Sequence, residues 1–93
     1  MVRHYIVKGR VQGVGFRWFV NREAGARGLK GWVRNTDGGE VEVMVAGSEE
    51  KLDELRAELE RGSRGSRVDA VYERNLDEAM AKNLESFQIE GAW

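Results

Sequence analysis

Two short stretches of this chain carry residue types whose chemistry depends on where they stand. The first is Gly9-Arg10-Val11-Gln12-Gly13-Val14-Gly15-Phe16-Arg17, which joins a strand-like run to a helical pattern beginning at Phe16. At a helix start several backbone N–H groups lack intrahelical partners and the dipole is positive. Glycines let such a loop curl until its amides converge and an anion can approach the backbone closely. A phosphate is the natural occupant. Arg17 stands in the first helical turn, where the dipole disfavours a cation. A bound dianion reverses the sign of that penalty, and a guanidinium is shaped for bidentate contact with phosphate oxygens. The same glycines could serve only to make a tight strand-to-helix turn, with Arg17 on the surface. The spacing fits neither a dinucleotide fingerprint, which needs glycine at the position of Trp18, nor a Walker-type loop, which needs Lys-Ser or Lys-Thr after its last glycine.

The second stretch is Gly31-Trp32-Val33-Arg34-Asn35-Thr36-Asp37-Gly38-Gly39. Asn35 and Thr36 are polar where a strand enters a turn. Asn before Asp-Gly is common turn chemistry. Asn35 also offers a carbonyl oxygen and an amide that can hold one water in a fixed orientation.

These residues must be positioned by few elements, because 93 residues allow a single domain, 1–93. A chain of this size buries roughly 60–65% of its unfolded surface. Hydrophobic residues make up 41% and charged residues 33%, a globular composition. With no cysteine there is no disulfide, thiolate nucleophile or Cys-based metal site, and His4 alone cannot make a multi-histidine centre. No run reaches transmembrane length, and the apolar part of MVRHYIV is too short for a signal peptide, so the expected location is the cytoplasm. Residues 1–36 hold eight Lys/Arg and one acid, whereas residues 37–93 hold seven Lys/Arg and fifteen acids. This asymmetry fits an anionic ligand, and it equally fits basic and acidic elements lying side by side in the fold.

Val2 to Val7 is rich in β-branched and aromatic residues and predicts a strand. Phe16, Phe19, Val20 and Ala24 fall at helical spacing and predict a helix to about Arg27, with Gly28 as its stop. Gly31 to Thr36 and Glu40 to Ala46 predict a hairpin across Asp37-Gly38-Gly39, the valines at 41, 43 and 45 marking one buried face. Ser48 is an N-cap, and Leu52, Leu55 and Leu59 give the stripe of a second helix that stops at Gly62. Val68 to Arg74 and Ser86 to Glu90 predict further strands, while Leu76 to Asn83 has no clear pattern. His4 reads as an ordinary strand residue, Trp18 and Trp32 as packing or rim residues, and the acidic face of the second helix as solvated surface. The order predicts an α+β, ferredoxin-like βαββαβ sandwich, a mainly antiparallel sheet with both helices on one face. That fold hosts many functions.

Taken together, the two stretches make the chain resemble the acylphosphatase family. One family motif, an aliphatic residue, any residue, then Gly-x-Val-Gln-Gly-Val-x-Phe-Arg, stands complete from Val7 to Arg17. The other, Gly-aromatic-Val-basic-Asn, three residues, Gly-x-Val, five residues, Gly, stands as Gly31 to Asn35, Gly39, Val41 and Gly47. The resemblance covers nearly the whole chain. It implies hydrolysis of acyl phosphates, with Arg17 holding the phosphate, Asn35 orienting the attacking water, and the amides of Gln12, Gly13, Val14, Gly15, Phe16 and Arg17 as the cradle. The chain departs from the family in two places. The loop Gly62 to Arg67 lacks a proline that members often carry, and the end Glu90-Gly91-Ala92-Trp93 replaces an Arg-Tyr-like pair; both bear on stability and edge packing more than on chemistry.

The residues present suit this reaction. The carboxylate leaving group has a conjugate acid of pKa about 4, so it departs without a general acid, and no positioned histidine or acid pair is visible to supply one. No metal or other cofactor is expected, and the expected partner is a small acyl phosphate, without nucleic acid or membrane, acting on a monomer. Two rivals share the element order or the loop. An RNA-recognition motif needs stacking aromatics on its central strands, and the strand from Glu40 to Ala46 has none. A non-catalytic phosphate or carbamoyl phosphate binder, free or part of a larger chain, would keep Arg17 and the loop but release no phosphate. The predicted caps at both ends of the pattern favour an autonomous enzyme. No stretch marks a pocket for the acyl part.

Overall fold

A computed structural model describes the chain from Met1 to Gly91. Ala92 and Trp93, half of the unusual C-terminal sequence, lie outside the described residues. The element order is β1 (Val2–Arg10), α1 (Phe16–Ala26), β2 (Lys30–Asn35), β3 (Val41–Ala46), α2 (Glu49–Arg61), β4 (Arg67–Leu76) and β5 (Phe87–Ile89), with a 3₁₀ turn at Glu78–Ala81 before β5. The sheet order is β4-β1-β3-β2-β5. Every pair is antiparallel except β2 with the short β5, which run parallel. Both helices pack on one face, as the ferredoxin-like expectation requires.

The core follows from the two periodicities. Tyr5 and Val7 of β1, Val33 of β2, and Val41, Val43 and Val45 of β3 face the helices. They meet Phe16, Phe19, Val20 and Ala24 of α1 and Leu52, Leu55 and Leu59 of α2. A fully buried side chain of this size contributes about 1.5–3 kcal/mol, so the sheet–helix interface is where the fold is held. Tyr5 keeps its hydroxyl satisfied by donating to the Leu52 carbonyl at 3.1 Å, and burial pushes its ionisation upward. At Gly31, in the middle of the sheet, an added Cβ would lie 1.9 Å from the Met44 carbonyl oxygen at φ 146°, so the strand closes only on a glycine.

Several boundaries differ from the sequence expectation; β4, expected over Val68 to Arg74, is longer at both ends, and β2, β3 and β5 shift by a residue. β1 runs on to Arg10 because Gly9 and Arg10 still pair with Val68 and Arg67 of β4 across an irregularity at Lys8/Gly9. The stop of α1 is a Schellman turn: Arg27 is the C-cap, Gly28 follows at φ 68°, Leu29 N–H bonds the Ala24 carbonyl at 3.0 Å, and Gly28 N–H the Gly25 carbonyl at 3.1 Å. The unpatterned stretch after β4 is the 3₁₀ turn, capped by Asp77, whose side chain accepts from Ala79 N–H.

The charge asymmetry is largely a matter of neighbours. Buried Arg3 bonds Asp53 at 2.6 Å, Arg27 bonds Glu23 at 3.0 Å and Glu54 at 3.2 Å, and Arg34 bonds Glu42 at 2.7 Å. The acidic face of α2 is therefore not simply solvated, since Asp53 and Glu54 reach back to basic residues of the first part of the chain. On the open face of the sheet, His4 Nε2 lies 2.6 Å from Glu42, and Arg34 stacks over Trp32 at 4.6 Å.

Candidate active site

The loop after β1 is shaped by its two central glycines. Gly13 and Gly15 have φ of 73° and 77°, the left-handed region, and a Cβ at either would meet nothing within 4 Å. Glycine is thus required there by conformation, not by crowding. Among the described residues, the N–H groups of residues 12–15 donate no hydrogen bond. Gly15 is the N-cap of α1 and offers no side-chain cap, and the first turn of α1 has no acid. The loop therefore presents bare amides and a positive helix end to the same space.

The other wall comes from the hairpin. Asn35 ends β2 opposite Val41. The turn beyond it is closed by Thr36 N–H to the Glu40 carbonyl at 2.9 Å and Gly39 N–H to the Thr36 carbonyl at 3.2 Å. Gln12 ties the loop to this turn: its Nε2 donates to the carbonyls of Thr36 at 2.8 Å and Glu40 at 2.7 Å. Loop and hairpin are held as one unit by a side chain from the first and two backbone acceptors of the second.

Between them is a cavity of about 240 Å³ on which Gly13, Gly15, Arg17 and Asn35 converge, with Val11, Phe16 and Trp18 completing the wall. Arg17 is partly buried, and its Nη1 donates to the Glu90 carbonyl at 3.1 Å, so the segment after β5 helps to fix the guanidinium. Asn35 Oδ1 is buried and accepts no hydrogen bond from the described residues. Leaving such an acceptor unmet costs about 1–3 kcal/mol. No acidic side chain among the described residues lines the cavity.

Of the residues singled out from sequence, Gly13, Gly15, Phe16, Arg17 and Asn35 meet at this cavity. Gln12 and Val14 do not line it. The Gln12 side chain is the tether just described, and Val14 lines a neighbouring cavity while packing against the core. Trp18 is a rim residue, 57% exposed. Two contributors escaped the sequence reading: the Gln12 amide as a clamp and the Glu90 carbonyl as a rest for Arg17. Neither is signalled locally, because each acts across a large sequence separation. Among the described residues no group of three His, Cys, Asp or Glu is placed to hold a metal ion.

The fold is a split βαβ sandwich whose first strand-to-helix loop turns glycines and unpartnered amides toward a cavity shared with an arginine and an asparagine. The sequence profile of the Acylphosphatase family matches residues 3–89. An acylphosphatase of Koribacter versatilis (strain Ellin345) is 55% identical over 91 residues, covering 98% of this chain and 81% of that one. The crystal structure of acylphosphatase from Bacillus subtilis superposes with a TM-score of 0.83 at 40% identity, covering 98% of this chain and all of that one. A third likeness is to full-length HypF in its phosphate- and nucleotide-bound form, with a TM-score of 0.82 at 29% identity over 97% of this chain and 12% of that one. The chain belongs to the acylphosphatase family.

Proposed function

We propose that the protein hydrolyses acyl phosphates to a carboxylate and inorganic phosphate, with Arg17 and the loop amides holding the phosphoryl group and Asn35 orienting water. The observation that carries this is the convergence of Arg17 and Asn35 on one cavity walled by Gly13 and Gly15, in a loop whose N–H groups at residues 12–15 donate no hydrogen bond among the described residues. Phosphoryl transfer asks a protein mainly for positioning and charge stabilisation. Arg17 and the amides supply both to the equatorial oxygens. The water held by Asn35 attacks phosphorus, the bond from phosphorus to the acyl oxygen breaks, and the carboxylate leaves with the electron pair. Asn35 is too weak a base to take the water proton, which passes to a phosphoryl oxygen of the substrate. The cradle amides and Gln12, as the clamp of the loop, complete the machinery.

The same reading has the enzyme working without metal, as a monomer, in the cytoplasm. Among the described residues no helix is long and apolar enough to cross a membrane. The test is phosphate release from benzoyl phosphate in the presence of EDTA, comparing the parent with Arg17→Ala and Asn35→Ala. Turnover by the parent and near-complete loss in both folded variants is the expected result. A rate that follows a protein group titrating between about pH 5 and 8 would exclude substrate-assisted proton transfer.

The likeness to a stretch of 12% of HypF favours a second reading, in which the domain binds an acyl phosphate within a larger chain and does not turn it over. Saturable binding of phosphate through Arg17, with no release of phosphate from benzoyl phosphate, would select it.

A further inference from the structure

A second cavity, of about 530 Å³, opens beside the first, and Gly15 and Trp18 are the wall common to both. α1 contributes Arg22, and the end of α2 with the following loop contributes Arg61, Ser63 and Arg64. Three guanidinium groups and no carboxylate among the described residues line this space, although the chain carries sixteen acids against fifteen Lys and Arg. Two of the three are paired with acids that do not line the cavity, Arg61 with Glu58 and Arg22 with Glu23, and each of those acids is shared with Arg27. The side chains of Arg22 and Arg61 are 74% and 69% exposed, and each holds its one carboxylate partner at the surface, where such pairs are weak. Arg64 makes no ion pair or side-chain hydrogen bond with the described residues.

In-line displacement puts the leaving group opposite the attacking water. Asn35 lines only the first cavity and the three arginines only the second, with Gly15 and Trp18 between them. We propose that the second cavity is the acyl-side subsite, and that it selects acyl phosphates whose acyl group ends in a second anionic group. The inference rests on the reading of Arg17 and its loop as the phosphoryl site. The exposed indole of Trp18 gives the acyl chain an apolar wall, and Arg22, Arg61 and Arg64 meet the charge at its far end. These are exposed contacts, each good for up to about five-fold in affinity and screened by salt. They act equally in ground and transition states, so the preference is expected in KM and not in kcat.

The test compares succinyl phosphate with butyryl phosphate, its neutral match in chain length, at low ionic strength. The parent is expected to favour succinyl phosphate in kcat/KM by about five- to twenty-fold, carried by KM and falling as salt is raised. The triple variant Arg22→Gln, Arg61→Gln, Arg64→Gln should bring the ratio near one. Arg64→Gln alone breaks no ion pair among the described residues and should lower the ratio by itself, which separates the subsite from any rearrangement around Glu58. Equal kcat/KM for the two substrates in the parent, or a preference that survives the triple change, overturns the proposal and leaves the hydrolase reading standing. Turnover of neither substrate removes both readings.

Discussion

The two helices of this protein begin in opposite ways. α2 opens with Ser48, whose hydroxyl accepts from Lys51 N–H at 3.3 Å, and carries Glu49 and Glu50 in its first turn. Its N-terminus is satisfied by its own residues, as helix-end physics favours. α1 opens with a left-handed glycine, no side-chain cap, no acid, and an arginine in the first turn. Both first turns close normally, with Leu52 N–H to the Ser48 carbonyl at 3.0 Å and Phe19 N–H to the Gly15 carbonyl at 3.1 Å. The backbone is thus equally helical in both. What differs is that one end is capped by its own side chain and the other leaves the amides before it without a partner among the described residues.

That contrast can be broken in several places. Arg17→Ala and Asn35→Ala should each lower kcat/KM for benzoyl phosphate by at least about 100-fold, the scale of losing one preorganised stabilising group. Denaturant midpoints should move by less than about 1 kcal/mol in free energy, because Arg17 opposes the dipole of its own helix. Gln12→Ala should cost about tenfold in kcat/KM, since misplacement of a positioned group lowers rate without removing chemistry. Hydrogen exchange at the turn of residues 36–40 should quicken in the same variant. Ser48→Ala reverses the pattern: urea unfolding should show a loss of about 1 kcal/mol, with benzoyl phosphate turnover unchanged.

The smallest effect concerns pH. The Arg27 hydrogen bond holds Glu23 below the usual glutamate range, with a smaller contribution from Arg22, against an opposing effect of burial. A carboxylate depressed in the folded state contributes stability that is present above its unfolded pKa of about 4.3 and is lost as pH falls through the lower folded value. Glu23→Gln should therefore lower the urea midpoint at pH 7, and the difference from the parent should shrink as pH falls below about 4 and the parent loses the same contribution.

Much of this was legible in the residues themselves. Val41, Val43 and Val45 announce a half-buried strand, Leu52, Leu55 and Leu59 a helix stripe, and Gly28 a helix stop. Each is a local pattern with a local cause, and the structure keeps all three. The shape of the glycine loop was legible for the same reason, because Gly13, Gly15 and Arg17 are neighbours in the chain. What could not be read was pairing at a distance. Nothing near Gln12 indicates that its amide closes on Thr36 and Glu40, and nothing near Phe87 indicates that β5 joins β2 in parallel. β1 was read short for the same reason: Gly9 and Arg10 are strand residues only because Arg67 and Val68 lie beside them. The basic cavity was invisible too, because Arg22 and Arg64 are brought together only by the packing of two helices.

The rest of Arg17 on the Glu90 carbonyl has a consequence for how the protein is made. The two residues are 73 positions apart. A nascent chain halted after β3 on the ribosome already holds the glycine loop, Gln12 and Asn35, and so every part of the cradle. It does not hold the backbone oxygen that aims the guanidinium, nor the parallel strand that brings that oxygen to it. The contact that holds the Arg17 guanidinium is therefore made only after β5 has joined β2 in the sheet.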